Sequence, residues 1–473
     1  MLKYDDQFAD FEISVLKEPG VSYDLFVIDA SVVQEKQRRI FDLLEKDLLL
    51  LNADSFANQV HFQSAIRTPV QRWYPYREGY STKLVNAFLK ELGVTGNIFD
   101  PFSGSGTTLL AARQSNLQSF GIDVNPISVL VSRVENQLYS SYEVDLLKGE
   151  VEKMSIASAP QETFSTSFDL AGKVFNKEIL NTLLHFKQLI REIESEKVRS
   201  LLTVAWLSII EDVSNIKKEG NGIKYKNRKR TTTGYIELEK ESWEKLVFPE
   251  NKFDFVKNRF LGQTRIIISD IERNYGPCSF PPKIFEGNAL DFEKFFSDEI
   301  EFTFFSPPYC NCFDYFEIHK VELWLGEFVN DKDDFRRLRN AGFRSNTNSL
   351  NQKHVSYVNE NAEALISLLD PSKLWSSKIP NVIRGYFDDS HTLLKKLYLQ
   401  TKKGGYVGIV VGSSAYSGVV IPTDILLADI AREIGFTVRR IFITRHLTTS
   451  SQQKQELTPL KDYLRESIVL LQK

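Results

Sequence analysis

The stretch FDPFSGSGTTLLAARQSNLQSFGIDVNP, residues 99 to 126, decides the fold. NIFD (97 to 100) reads as a short buried strand, TTLLAARQS (107 to 115) as a helix and SFGIDV (119 to 124) as a second strand. Between the first two, Gly104 and Gly106 permit a tight turn that a ligand can approach closely, and Thr107 and Thr108 begin a helix whose N–H groups face that ligand. Asp123 closes the second strand seventeen residues beyond Gly106, where a carboxylate can accept hydrogen bonds from both ribose hydroxyls of an adenosine-type cofactor. A lone Gly-x-Gly is only a glycine-lined turn; strand, loop, helix, strand and acid in this order point to a cofactor. The loop lacks the third glycine of the dinucleotide fingerprint. Asp100, just ahead of it, would repel a pyrophosphate but suits the ammonium of a methionine moiety, which favours S-adenosylmethionine over NAD.

Working outward, strand and helix patterns alternate in two separated blocks, roughly 80 to 130 and 283 to 473, as in a parallel α/β sheet. In the second block KIFEGNAL (283 to 290), EFTFFS (301 to 306), YVGIVVG (406 to 412), TVRRIFITR (437 to 445) and ESIVLLQK (466 to 473) read as strands, and TDILLADIAREIG (423 to 435) as a helix closed by Gly435. Residues 176 to 210 carry helical apolar spacing with no matching strand run, so a mostly helical insertion is expected between the blocks. The expected divisions are 1–70, an N-terminal extension; 71–130, the cofactor segments; 131–280, the helical insertion; and 281–473, the remaining sheet.

The chain has 473 residues, 42% hydrophobic and 26% charged, ordinary for a soluble globular protein. A net charge of -3 excludes a uniformly basic nucleic-acid binder, leaving local patches to be sought. Three cysteines, no apolar leader in the acidic N-terminus and no long apolar window fit a cytoplasmic chain without a membrane span. Cys310 and Cys312 form a lone C-x-C, too little for a metal site, and no metal is expected. His319 reads as a packing residue rather than a base.

DPFSGSGTT, GIDVNP and the SPPY of residues 306 to 309 together resemble the amino-group DNA methyltransferases, which methylate N4 of cytosine or N6 of adenine. The resemblance implies a Rossmann-like class I methyltransferase sheet with the helical insertion set into it. It implies that Asp100, Phe102, Ser103, Gly104 and Gly106 surround the methionine end of S-adenosylmethionine, beside the helix start at Thr107, and that Asp123 binds the ribose. EGNALDF (286 to 292) looks like the adenine segment, with Asn288 where the family often has an acid. RWYPYREGYSTKLVNAFL (72 to 89) resembles the family's additional cofactor segment, with Tyr76 and Tyr80 as candidates; read plainly, it is an aromatic lead-in to a helix beginning near Ser81.

In the same comparison Ser306, Pro307, Pro308 and Tyr309 are the catalytic tetrad. An exocyclic amine is a poor nucleophile because its lone pair is delocalised into the ring, so it must be oriented by hydrogen-bond acceptors. Two prolines remove competing donors, leaving the Pro307 carbonyl and the Ser306 hydroxyl to grip the amine. Tyr309 can stack on a base extruded from the duplex, offsetting the roughly few kcal/mol of unstacking. Serine at the first position leans toward cytosine N4, with adenine N6 open.

KKEGNGIKYKNRKRTTTGY (217 to 235) concentrates cations, of which Lys224, Lys226, Arg228, Lys229 and Arg230 are candidates for DNA phosphates; a solvated loop is the bland alternative. Arg336, Arg337 and Arg344 form a second candidate patch. The expected partner is duplex DNA, and the resemblance implies a restriction-modification or phage-defence setting that admits a cognate restriction endonuclease. RNA base methylation, a nucleic-acid-binding subunit without catalysis and a nicotinamide dehydrogenase are the competing readings.

Overall fold

The computed structural model of the chain describes residues 30–60, 67–219, 222–231, 234–274, 279–350, 354–448 and 454–473. In chain order its strands are β1 (Leu50–Asn52), β2 (Ile98–Asp100), β3 (Ser119–Asp123), β4 (Ile216–Glu219), β5 (Gly222–Tyr225), β6 (Arg228–Thr231), β7 (Gly234–Glu237), β8 (Lys283–Glu286), β9 (Ile300–Phe305), β10 (Thr401–Gly412), β11 (Ser414–Tyr416), β12 (Val419–Ile421), β13 (Thr437–His446) and β14 (Arg465–Gln472).

Eight of them make one sheet in the order β1-β13-β14-β10-β9-β2-β3-β8. Only β14 runs antiparallel to its neighbours β10 and β13; every other pairing is parallel. The chain winds outward from β2 through β3 to β8 and, on the other side, from β9 to β10. β2 and β9 therefore flank the topological switch point, where an open α/β sheet leaves a crevice at its carboxyl edge.

Local chemistry explains the elements around that crevice. Helix Thr107–Gln114 starts at Gly106, whose φ of 85 an L side chain rarely adopts. Helix Pro126–Asn136 is capped by the Asn125 side chain and carries proline in its first turn. Helix Thr82–Leu92 is capped by Ser81, as expected, and helix Thr423–Ile434 stops at Gly435. One sheet face packs a cluster that includes Phe99, Phe120, Phe292 and Phe296, with the Phe120 and Phe296 rings stacked at 4.4 Å. The opposite face buries Leu84, Val85 and Phe88 against Phe302 and Phe304.

The structure adds detail to the expected elements at four places. The 176 to 210 pattern is two helices, Lys177–Arg191 and Glu196–Ser208, the second capped by Ser195. The region between β3 and β8 is not helical throughout, because residues 216 to 237 fold into two antiparallel hairpins, β4-β5 and β6-β7. The run 283 to 290 stays extended only to Glu286; Asn288 caps a short 3-10 helix, Ala289–Lys294. Residues 50 to 52, inside the expected N-terminal extension, supply the edge strand β1. Among the described residues no helix is long and apolar enough to cross a membrane.

Candidate active site

A cavity of about 550 Å³ opens at the carboxyl edge of the sheet, beside the β2-β9 switch point. It is large enough for a cofactor-sized ligand. One end is walled by the glycine loop, where Phe102, Ser103 and Gly104 meet the cavity, and by Asp123 at the end of β3. The Ser306–Tyr309 corner, which follows β9, lines the same cavity. Two stretches about two hundred residues apart in sequence thus share one space because β9 pairs in parallel with β2.

Each polar group at the loop end has a definable role. Asp123 accepts from the Gly104 N–H at 2.9 Å and the Asn125 N–H at 2.8 Å, one bond to each oxygen. Each oxygen keeps a second lone pair for an outside donor. Burial drives the Asp123 pKa up to about 6, against the downward pull of those N–H groups. Asp100 stands behind the wall, 1% exposed, accepting from the Phe102 N–H at 3.0 Å and the Tyr80 hydroxyl at 3.1 Å. Burial raises it further, to about 7. Gly106 also lies behind the surface, where a Cβ would strike Ser132 and Asn136.

Tyr76 lies over Gly104, so a Cβ there would meet its ring at 3.0 Å, and its hydroxyl pairs with Ser128 Oγ at 3.0 Å. Tyr76 is backed by the buried His319 ring, stacked at 5.5 Å. His319 Nδ1 lies 3.3 Å from the Tyr74 hydroxyl and Nε2 3.8 Å from Glu78. Thr107 is held by the Gln71 amide at 3.0 Å. Asn288 uses both ends of its side chain on protein, accepting from the Leu290 N–H and donating to the Ala341 carbonyl, so it shapes the wall through its fold.

At the other end Tyr309 donates to Glu466 Oε1 at 2.8 Å, and Arg445 Nε holds the second Glu466 oxygen at 2.6 Å. The Ser306 side chain lines the same cavity as the Tyr309 ring. Pro307 and Pro308 follow without backbone donors, so the corner presents acceptors. Beyond it, Cys310 is buried in the core and Cys312 Sγ accepts from the Tyr416 hydroxyl; Cys278 lies outside the described residues.

The cavity has walls the sequence did not reveal. Lys217, Lys218 and Glu219 of β4 form one; Lys218 is tied to Glu322 at 2.5 Å, with both side chains buried. Residues 341 to 346 form another, running from Asn288 to Cys312, whose N–H donates to the Ser345 carbonyl at 3.1 Å. Arg445 and Glu466 close the far side. A carboxylate heading the apolar run ESIVLLQ was the one signal that could have flagged Glu466.

Two expected DNA contacts are overturned as surface cations. Arg344 is 4% exposed, its guanidinium clamped by Asp388 and Asp389 and its N–H bonded to Asp389, so it braces the 341 to 346 wall. Lys226 donates to the Glu211 and Ser214 carbonyls at 2.6 and 2.9 Å, and burial lowers its pKa. Lys224, Arg228 and Lys229 are exposed on the hairpins, while the Arg230 side chain lies outside the described residues. Arg336 and Arg337 are exposed on helix Lys332–Ala341, each paired with an aspartate one turn earlier.

A family model described as DNA methylase matches residues 79–131, the span from the aromatic lead-in through the glycine loop to helix Pro126–Asn136. Over this span the chain is similar to that DNA methylase family. It is 27% identical over 432 residues to the Type II methyltransferase M.BsoBI of Geobacillus stearothermophilus, covering 84% of each chain. It is 26% identical over 437 residues to the Type II methyltransferase M.AvaI of Nostoc sp., covering 87% of this chain and 89% of that one. The likeness to M.MvaI of Kocuria varians is 22% over 362 residues, 71% of this chain and 74% of that one. Likenesses covering 84% and 87% of the chain extend beyond the glycine loop through the region carrying the β4 to β7 hairpins and the SPPY corner.

The loop end fits the methyl donor such a family uses. Ser103 Oγ is buried with no hydrogen-bond partner among the described residues, at the cavity wall. Two carboxylates suit a ligand that carries ammonium and sulfonium charge and ribose hydroxyls.

Proposed function

We propose that the protein is a site-specific methyltransferase that moves a methyl group from S-adenosylmethionine to the exocyclic N4 of cytosine in duplex DNA, in a cytoplasmic restriction-modification or phage-defence setting. The observation that carries this reading is the shared cavity: the Ser306–Tyr309 corner and the glycine loop with Asp123 face one space. The Type II methyltransferase names of its relatives support the DNA substrate.

In this reading Asp123 takes the ribose hydroxyls, Ser103 Oγ and the Gly104 backbone pack against the methionine portion, and Tyr76 and Tyr80 hold the loop in place. When bound, S-adenosylmethionine supplies an electrophilic methyl group on a positive sulfur. The chain's own work is to align the amine. Tyr309 gives its proton to Glu466, and the Ser306 hydroxyl offers its lone pairs to the amine N–H. The Pro307 carbonyl supplies a second acceptor. Two acceptors turn the nitrogen lone pair out of conjugation and toward the donor, and positioning carries the acceleration. The serine at the head of the corner supports cytosine over adenine.

The test is to incubate the protein and methyl-labelled S-adenosylmethionine with duplex DNA and, separately, with RNA, then identify labelled nucleosides by mass spectrometry. N4-methyldeoxycytidine is expected. N6-methyldeoxyadenosine would move the reading to adenine, and label in RNA alone would overturn the DNA substrate.

A further inference from the structure

We infer that the β6-β7 hairpin is a DNA-reading ribbon that enters the major groove beside the extruded base, with Tyr235 and Ile236 as its apolar contacts; the inference rests on the duplex-DNA reading above. In β6-β7 Arg228 pairs with Glu237, Lys229 with Ile236 and Arg230 with Tyr235. Paired residues share a face, so Arg228 and Tyr235 lie on one side and Lys229 and Ile236 on the other. Both sides carry exposed residues. All four residues of β7 are exposed, Tyr235 at 70% and Ile236 at 58%, followed by Leu238 at 47%.

A two-stranded ribbon bare on both faces is marginal by itself and gains from a surface laid against it. Side-chain hydrogen bonds hold the ribbon at its root. Asn227 accepts from the Asn215 amide at 3.0 Å and donates to the Leu238 carbonyl at 2.9 Å, while the Leu238 N–H returns to the Asn227 carbonyl. Both asparagines are buried. The root also adjoins the active site, since Asn215 is two residues, roughly 7 Å of strand, from Lys217 on the cavity wall.

Charge selects the occupant. In residues 216 to 238 Lys218 and Lys226 are tied to protein groups, while Lys217, Lys224, Arg228 and Lys229 are exposed, in a chain whose net charge is -3. Arg228 is paired with Glu237 at 2.8 Å, but both are about half exposed, so the pair gives way easily to a phosphate. Its guanidinium lies 6.0 Å from the Tyr235 ring centre, placing a cation beside an exposed aromatic face. A major groove about 12 Å wide admits a two-stranded β-ribbon, its phosphates take the cations and its base edges accept apolar contact.

Two measurements test the ribbon. A benzophenone side chain replaces Tyr235, with a control at Tyr142, which is 73% exposed on helix Ser141–Ser155, and the protein is irradiated with a fluorescein-labelled mixed-sequence duplex. Crosslinking at 235 and not at 142 is expected. Methyl incorporation into DNA with no crosslink at 235 overturns the ribbon alone; a crosslink without incorporation keeps the ribbon and sinks the methyl-transfer reading; absence of both overturns both. The double variant Tyr235→Ala/Ile236→Ala, whose side chains pack in no core cluster, should keep the wild-type melting temperature and cofactor affinity. It should bind DNA the wild type methylates about tenfold or more weakly, with an unchanged salt slope. Unchanged affinity for that DNA would also overturn the proposal.

Discussion

The Tyr309 hydroxyl donates to the Glu466 carboxylate at 2.8 Å across 157 residues of sequence, fastening the corner after β9 to the head of β14. Glu466 is buried and also holds Arg445, so the bond fixes the Tyr309 phenol with little freedom. Glu466→Ala frees the ring and removes the acceptor of a half-buried hydroxyl, at a stability cost of about 1 kcal/mol. Methyl transfer should fall about tenfold or more while S-adenosylmethionine affinity stays near wild type. Single-turnover rates and calorimetry on one preparation check this; a wild-type rate would remove Glu466 from the positioning of the corner.

Gly412 faces the same ring. A Cβ at Gly412 would meet Tyr309 at 2.8 Å, so Gly412→Ala should push the ring toward the base side of the cavity. We expect lowered turnover with cofactor affinity preserved, and a larger loss than for Gly149→Ala, where a Cβ meets nothing within 4 Å.

Cofactor affinity should depend on pH. Burial raises Asp123 to about 6 and Asp100 to about 7, both from 3.8. With folded pKa values above the unfolded ones, the stabilisation from proton uptake is present in acid and is lost as pH climbs through about 6 and about 7. Binding a cationic ligand favours the ionised forms, so below about pH 7 binding must release protons. Affinity should rise from about pH 5 and level off above about pH 7, with Asp123→Asn flattening the lower part of the rise. Titration calorimetry in buffers of different ionisation heat measures the released protons; a flat wild-type profile would contradict the ionised-carboxylate account.

Arg344 and the exposed hairpin cations should respond oppositely. Arg344→Met removes the partner of two buried aspartates and should destabilise the fold by about 3 to 5 kcal/mol. Arg228→Gln/Lys229→Gln should leave the melting temperature unchanged and make the slope of log affinity against log salt shallower by about 0.9 per lost phosphate contact. Thermal melts and salt titrations separate the two, and an unchanged slope in the hairpin variant would return those residues to solvent.

The glycine loop and Asp123 were legible because their signal is local: strand, turn, helix and acid fall within one short stretch, and parallel pairing follows from the alternation of elements. The SPPY corner was legible as the end of a strand, yet its nearness to the loop depends on β2-β9 pairing. Arg344 misled because its partners come 44 and 45 residues later, turning an apparent surface cation into a buried brace. The β6-β7 ribbon was hidden because its cations masked the alternation that marks a strand. Its anchor, Asn215 with Asn227, is a side-chain clamp without periodicity. Asn288 fell where expected but is occupied by its neighbours.

The central claim is that one cavity divides its work between a cofactor end and a base end. The most direct test measures S-adenosylmethionine affinity and single-turnover methyl transfer to DNA on the same preparation of Ser306→Ala. The account predicts affinity close to wild type and transfer reduced about a hundredfold, the scale of losing one aligned polar contact in a preorganised site. Unimpaired transfer, or equal loss of binding and transfer, would contradict it.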